Sequence, residues 1–264
     1  MSAASESGES TPSLAGHERD PTGRFADRAR DYAAARPSYP PAIIDAVLEG
    51  LGKPGSLIAA DVGAGTGISS RLLAQRGTRV LAIEPNAAMR QAAEPHALVR
   101  FLAATGEATA LPRGSVDVVA CFQAFHWLRR WEALAEFARV LRPGGRVALV
   151  WNDRDDRDVF TAEYGRILSR ASKGECDRID ERVPPGLEAT GLFVNERVVE
   201  AAYGQRLDQG GLIARAMSAS YTPKQGEAAA AVAAELCALH AKHADGTGGV
   251  VMRYRTRAHL AERA

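Results

Sequence analysis

Twelve residues constrain this chain more than any others: Ser56 to Gly67, reading SLIAADVGAGTG. An apolar run of strand length, Leu57, Ile58, Ala59 and Ala60, reaches an acid at Asp61. It then breaks into Gly63, Gly65 and Gly67, with Ala64 and Thr66 between them, before an amphipathic run opens. That order predicts strand, glycine turn, helix. Glycine suits such a turn because the backbone must take positive φ and let a ligand approach with no Cβ in the way, while the helix start offers unpaired N–H groups. A nucleotide-type pocket is the functional expectation, and a tight turn in some other α/β protein is the plainer one.

Spacing decides which nucleotide. A dinucleotide fingerprint needs glycine or alanine three residues after its second glycine, and Ile68 stands there. The following run, Ile68 to Gln75, has helical spacing and ends at Gly77. Arg79 to Glu84 then reads as a short strand closing on a carboxylate. Glu84 lies about 20 residues beyond the first glycine, where an acid at the end of a second strand accepts ribose hydroxyls. A helix over Ala87 to Glu94, a third strand over Leu98 to Ala103 and a fourth over Val116 to Phe122 follow. The fourth is apolar except for Asp117, as a parallel strand covered on both faces should be. Trp131 to Leu141 is helical, Arg142-Pro143-Gly144-Gly145 turns the chain, and Arg146 to Trp151 is a fifth strand. Strands alternating with helices predict an α/β fold with a doubly wound, mainly parallel sheet.

Beyond the fifth strand the pattern loosens. A helix over Val159 to Ser169, a polar link with Pro184-Pro185, a strand over Phe193 to Tyr203 and an Ala-rich helix over Lys224 to His243 are expected. The last strand, Val250 to Leu260, alternates, with Arg253, Arg255 and Arg257 on one face and Met252, Tyr254 and Thr256 on the other. At the other end, residues 1–22 are rich in Ser, Gly, Glu, Pro and Thr and predict a disordered tail. A helical face of Phe25, Ala29, Tyr32 and Ala33 comes next, stopped by the prolines at 37, 40 and 41, and a second helix starts at Pro41.

Composition narrows the partners. A formal net charge of +1 gives no global field for nucleic acid or an anionic membrane, and the Arg face of the last strand lacks the interleaved aromatics of a nucleic-acid surface. A small-molecule substrate is expected, with no nucleic-acid or membrane partner; monomer and homodimer both stay open. Cys121, Cys176 and Cys237 form no CxxC pair, which fits a reducing cytoplasm. Cys237, His240 and His243 share a helical face but bring no carboxylate, so no metal is expected.

In open α/β sheets ligands bind beyond the carboxyl ends of the strands. That puts Gln123-Ala124-Phe125-His126-Trp127, after the fourth strand, and Asn152 and Arg154, after the fifth, beside the chemistry. His126 is the catalytic candidate because neutral imidazole takes a proton near pH 7. Arg154 is the candidate bidentate clamp for an anionic acceptor.

Taken together, DVGAGTG, Glu84, Gly106-Glu107-Ala108-Thr109-Ala110-Leu111-Pro112, QAFHW and LRPGG resemble class I S-adenosylmethionine (SAM) dependent methyltransferases with a type 11 methyltransferase domain, over roughly residues 25–151. Tyr32-x-x-x-Arg36-Pro37-x-Tyr39-Pro40, Trp151-Asn152-Asp153-Arg154, Ser218-x-Ser220-Tyr221 and Tyr254-Arg255-Thr256 further resemble the branch containing trans-aconitate methyltransferase-like proteins. The resemblance implies a Rossmann-like, seven-stranded sheet whose last strand is antiparallel and inserted beside the sixth. It implies one domain over 23–264, with a core at 53–152 and lid elements at 23–50 and 205–246. It also implies a cofactor site, for SAM and its product S-adenosylhomocysteine, of Tyr32, Arg36, Asp61, Gly63, Ala64, Gly65, Thr66, Gly67, Glu84, Pro85, Met89, Glu107, Ala108 and Gln123. Tyr39, Trp127, Asn152 and Tyr221 are then the substrate residues. Glu107 stands where the family has Asp and keeps an acceptor for adenine, whereas Thr109 stands where it has Glu and takes a charge from the rim. The implied reaction carries the SAM methyl group to a small-molecule oxygen, carboxylate or hydroxyl. A noncatalytic SAM-binding scaffold and a nicotinamide-dependent oxidoreductase are the rivals.

Overall fold

The computed structural model describes residues 36–172, 186–219 and 221–264. The expected tail over 1–22, the helix carrying Tyr32, the Pro184-Pro185 link and Ser220 lie outside the described residues. In chain order the elements are α1 (Pro41–Leu48), β1 (Ile58–Val62), α2 (Ile68–Ala74), β2 (Arg79–Ile83), α3 (Ala87–Gln91), β3 (Val99–Leu102) and β4 (Val116–Phe122). There follow α4 (Arg130–Val140), β5 (Leu141–Arg154), α5 (Val159–Ala171), β6 (Phe193–Leu207), α6 (Gln209–Met217), α7 (Gly226–His243) and β7 (Val250–Arg263).

The strands form one sheet in the order β3-β2-β1-β4-β5-β7-β6. All neighbours are parallel until β7, which runs antiparallel to both β5 and β6. This is the Rossmann-like, seven-stranded, mainly parallel α/β sheet that the motifs imply, inserted last strand included. Because β1 leads outward to β2 and β3 while β4 starts again on its other side, the strand order reverses between β1 and β4. Such a reversal is where open α/β sheets place a ligand crevice, at the carboxyl ends of the strands.

Helices cover both faces. α1 and α2 bury Ile43, Ile44, Val47, Leu73 and Ala74 against Ala59, Val118, Ala148 and Val150. On the opposite face α4 buries Leu134 and Phe137 against Val119, Cys121 and Leu149. α1 is therefore a layer helix, and of the expected lid segment 23–50 only Arg36–Pro40 among the described residues reaches the carboxyl ends, where Tyr39 meets the Phe122 ring edge-on at 4.7 Å. A third core joins α5, α6 and α7 to the β6–β7 end through Phe160, Leu212, Leu236 and Met252.

One buried arginine ties distant parts together. Arg146 of β5 is 5% exposed and donates to the carbonyls of Ala46, Val47 and Glu49 at the end of α1, at 3.3, 3.3 and 2.6 Å. It also pairs with Glu262 of β7 at 3.0 Å.

Two expectations need correction. Arg142-Pro143-Gly144-Gly145 does not precede the fifth strand: β5 begins at Leu141, and the four residues are an excursion inside it, the register jumping from Val116↔Leu141 to Val118↔Arg146. The bulge absorbs Pro143, which has no N–H to give, and Gly144 at φ 72°. α6 is absent from the sequence expectation because Gly210 and Gly211 dilute its propensity; the Asp208 carboxylate caps it, accepting from Gly211 N–H at 2.7 Å.

Candidate active site

The site begins where β1 runs into its glycines. Gly63, Gly65 and Gly67 have φ of 69°, 56° and 77°, left-handed values that glycine takes without strain. A Cβ on Gly63 would lie 2.4 Å from the Ala124 Cβ, so the turn and the end of β4 touch backbone to side chain. Beneath the turn, Asp61 is fully buried and accepts from the hydroxyls of Ser69 and Ser70 at 2.6 and 2.5 Å, fastening the first turn of α2. Burial pushes its carboxyl up to about 6, against the opposing pull of those two hydroxyls. Its second oxygen, Oδ1, and the Thr66 hydroxyl are buried without a hydrogen-bond partner.

Glu84, at the end of β2, turns back over this loop. Its carboxylate accepts from Gly65 N–H at 2.9 Å and Asn86 N–H at 2.8 Å. Burial raises its pKa, and those two amides with the Arg90 charge work the other way. Asn86 caps α3 through the N–H groups of Ala88 and Met89, the Met89 side chain is buried, and Arg90 holds the carbonyls of Glu84 and Pro85 at 2.7 and 2.8 Å. A third wall comes from the segment after β3. There Gly106 sits so close to Leu128 and Val62 that a Cβ would clash, Glu107 accepts from Arg129 N–H at 2.8 Å, and Ala108 is exposed. Thr109 faces away from the crevice: its N–H and hydroxyl both donate to Glu136 of α4, at 2.9 and 2.6 Å. Glu136 is held in turn by Arg139 at 2.6 Å.

At the end of β4, Gln123 takes φ 54°, a strained value for a side chain that is held in place. Its amide donates to the Asn152 carbonyl at 2.9 Å and its N–H to the Val150 carbonyl at 2.8 Å, locking β4 to β5. His126 and Trp127 follow on a short 3-10 turn with their rings 5.0 Å apart. The Asn152 side chain accepts from the Thr256 hydroxyl at 2.5 Å and donates to the Ser38 carbonyl at 3.0 Å, so β5, β7 and the Arg36–Pro40 segment meet at one amide. Arg154 donates to the Tyr221 hydroxyl at 3.2 Å and lies over the Tyr164 ring, 5.9 Å from its centroid.

Four residues that the sequence reading did not name as site residues gather here. Tyr164 comes from α5, Tyr203 from β6, Arg215 from α6 and Tyr254 from β7; Arg215 donates to the Tyr254 hydroxyl at 3.3 Å. Tyr254 was legible inside the Tyr254-Arg255-Thr256 match, whereas nothing local marks Tyr164 or Arg215. The Arg face of β7 is also engaged: Arg257 pairs with Asp153 at 2.6 Å and Arg255 with Glu200 at 3.9 Å. His243 meets a carboxylate after all, that of Glu163 at 3.3 Å, shared with Lys242. Among the described residues no group of three metal-ligating side chains forms.

The donor set fits the ribose of an adenosyl ligand. The Glu84 carboxylate lies on the glycine turn, where it takes the Gly65 N–H and would offer a ribose diol an acceptor. The nearest guanidinium groups, Arg71 and Arg90, are turned onto the backbone carbonyls of Thr66 and of Glu84 and Pro85.

Residues 60–149 match the methyltransferase domain family, Methyltransf_11. The match is to a methyltransferase domain. It spans β1 through most of β5, the half of the molecule that builds the glycine turn and Glu84. The chain is 40% identical over 164 residues to an uncharacterized methyltransferase of Mycobacterium tuberculosis, covering 61% of this chain and 65% of that protein. It is 36% identical over 155 residues to an uncharacterized methyltransferase-like protein of Schizosaccharomyces pombe, 56% and 59% of the two chains. The matches thus span a little under two thirds of these relatives' length. Among solved structures, a putative type II methyltransferase from Anaeromyxobacter dehalogenans aligns with TM-score 0.52 at 25% identity, over 86% of this chain and 96% of that one. A putative methyltransferase from an antibiotic biosynthesis pathway of Anabaena variabilis shares the fold, with TM-score 0.60 at 23% identity, over 86% and 98%.

Proposed function

We propose that this protein transfers the methyl group of SAM to an oxygen, carboxylate or hydroxyl, of a small-molecule metabolite. The observation that carries the reading is the Glu84 carboxylate lying across the Gly65 amide at the point where the strand order reverses, inside the matched domain. SAM, when bound, supplies an electrophilic methyl group on a sulfonium that is an excellent leaving group. The chain's part is then to orient the acceptor and exclude water. In this reading Glu84 accepts from the ribose, the glycine turn passes beneath the adenosyl group, Glu107 and Ala108 meet the adenine, and Tyr32 and Arg36 hold the carboxylate of the methionine half. Gln123 stands by the reacting centre, locked by its bond to Asn152. A carboxylate acceptor needs no base; a hydroxyl acceptor passes its proton to His126. Tyr39, Trp127, Asn152, Arg154 and Tyr221 border the acceptor. The free thiols of Cys121 and Cys237 accord with a reducing cytoplasm. Among the described residues no helix is long and apolar enough to cross a membrane.

The test has two stages. Calorimetry with SAM and NADH side by side should give binding of SAM alone; NADH binding without SAM binding would sink the proposal. Methyl-labelled SAM is then offered pooled carboxylic acids, phenols and amines, with label expected in a carboxylate or phenol pool. SAM binding with no labelled acceptor in any pool favours the scaffold reading.

A further inference from the structure

Beside the end of β5 lies a group of side chains that the matched domain does not include. Arg154 donates to the Tyr221 hydroxyl and lies over the Tyr164 ring of α5, while Arg215 of α6 donates to the hydroxyls of Tyr254, on β7, and of Ser218. Two features of this group are incomplete as they stand. The guanidinium of Arg215 is half-buried, yet among the described residues it meets only neutral oxygens, the Tyr254 hydroxyl at 3.3 Å and the Ser218 hydroxyl at 3.4 Å, and no carboxylate. The Tyr164 side chain is 1% exposed and its hydroxyl has no hydrogen-bond partner. Arg215, Tyr221, Tyr254 and Arg154 all bear electrostatically on that hydroxyl. A buried hydroxyl without a partner and a guanidinium without a counter-charge both cost free energy, and one group would satisfy both. It must be small, anionic and rich in acceptor oxygens, since guanidinium groups only donate and the Tyr164 hydroxyl has a proton to give.

We propose that Arg154, Arg215, Tyr164 and Tyr221 hold a non-reacting oxyanion of the methyl acceptor, a carboxylate or a phosphate. This deepens the methyl-transfer reading and rests on it for the word acceptor. The anion belongs to the acceptor and not to SAM because of distance across the sheet. β7 is three strands from β1 in the sheet order, about 14 Å at the usual strand spacing. It is non-reacting because an oxygen clamped by two guanidinium groups has its lone pairs and charge engaged, which blunts attack on carbon. The acceptor therefore carries two functional groups: an oxyanion seated here, and a separate oxygen presented toward Gln123 and His126.

The experiment measures anion binding by thermal shift on the full chain, with succinate, inorganic phosphate and, as the neutral control, succinamide. Wild type should gain a few degrees in Tm from succinate, from phosphate or from both, and nothing from succinamide; which anion works names the class. Arg215→Gln should weaken the apparent affinity roughly tenfold or more, with partial recovery in Arg215→Lys. Tyr164→Phe deletes only the orphan hydroxyl, so it should fold at least as well as wild type and still lose several-fold in anion affinity; this keeps the test open should Arg215→Gln not fold. Calorimetry of SAM with the anion present should give unchanged SAM affinity. No shift with either anion, an unaltered shift in Tyr164→Phe, or displacement of SAM by the anion would each overturn the proposal. None of these readouts needs turnover, so failure of methyl transfer and failure of the anion site are told apart.

Discussion

At the residue scale, Asp61 and the glycines make opposite demands on the same turn. Asp61 is charged at neutral pH in a place that burial makes expensive, its carboxyl pushed up to about 6. Above that value the buried charge costs stability on the order of 3 kcal/mol; as pH falls through it the native state takes up a proton and the cost is relieved, completely below the unfolded range near 4. Asp61→Asn should therefore stabilise the protein more at pH 8 than at pH 5, read from urea midpoints at the two values, and parallel pH profiles of the two proteins would refute it. The glycines separate by what surrounds them. Gly63→Ala meets both a left-handed φ and Ala124 and should cost about 3 kcal/mol or more; Gly65→Ala meets only the φ, with open space where its Cβ would go, and should cost about 1 kcal/mol. Equal losses in chemical denaturation would contradict this. These positions were legible in the sequence because their meaning is local: a turn, an acid before it, another acid a fixed distance on. Arg215 and Tyr164 were not, because each acquires its meaning from residues far along the chain that only the fold brings near.

Among the elements, β5 links the described half of the site to the half contributed by α5, α6 and β7. Its Asn152 reaches Gln123, Thr256 and Ser38, so one side chain and its own carbonyl join the end of β4, the last strand and the segment before α1. Asn152→Ala should lose about 2–3 kcal/mol, since it strands the Ser38 carbonyl and the Thr256 hydroxyl, and hydrogen exchange should quicken at residues 36–40 more than in β1. Exchange that rises equally in both places would argue against the link. Long apolar elements such as β4 were found at their observed bounds because strand period and burial agree there. The start of β5 and the whole of α6 were misjudged for opposite reasons. Proline and two glycines read as the end of an element but form a bulge within one, and two glycines at the start of α6 masked a helix that Asp208 caps and Leu212 anchors.

For the whole molecule, Arg146 binds the end of α1 to β7 across β5 and is expected to keep the layers in one cooperative unit. Arg146→Met removes one of the two cations on Glu262, Arg197 at 3.2 Å being the other, and the donor to three carbonyls; it should cost about 3 kcal/mol, with calorimetry still showing a single transition at lower Tm. Two resolved transitions would mean that the layers unfold independently. The seven-stranded topology was readable from the alternation of strands and helices together with the family resemblance; the layer role of α1 was not, since amphipathic helices on a sheet and over a site share one periodicity. The position of β7 has a further consequence for how such a chain comes off the ribosome. Synthesis delivers β6 before the strand that must stand between it and β5, so for as long as residues 208–249 are being added, β6 has no neighbour to pair with and β5 shows a bare apolar edge. The last strand to be made fills an interior slot, and the assembly of the acceptor side waits for it while the glycine-turn half is already complete.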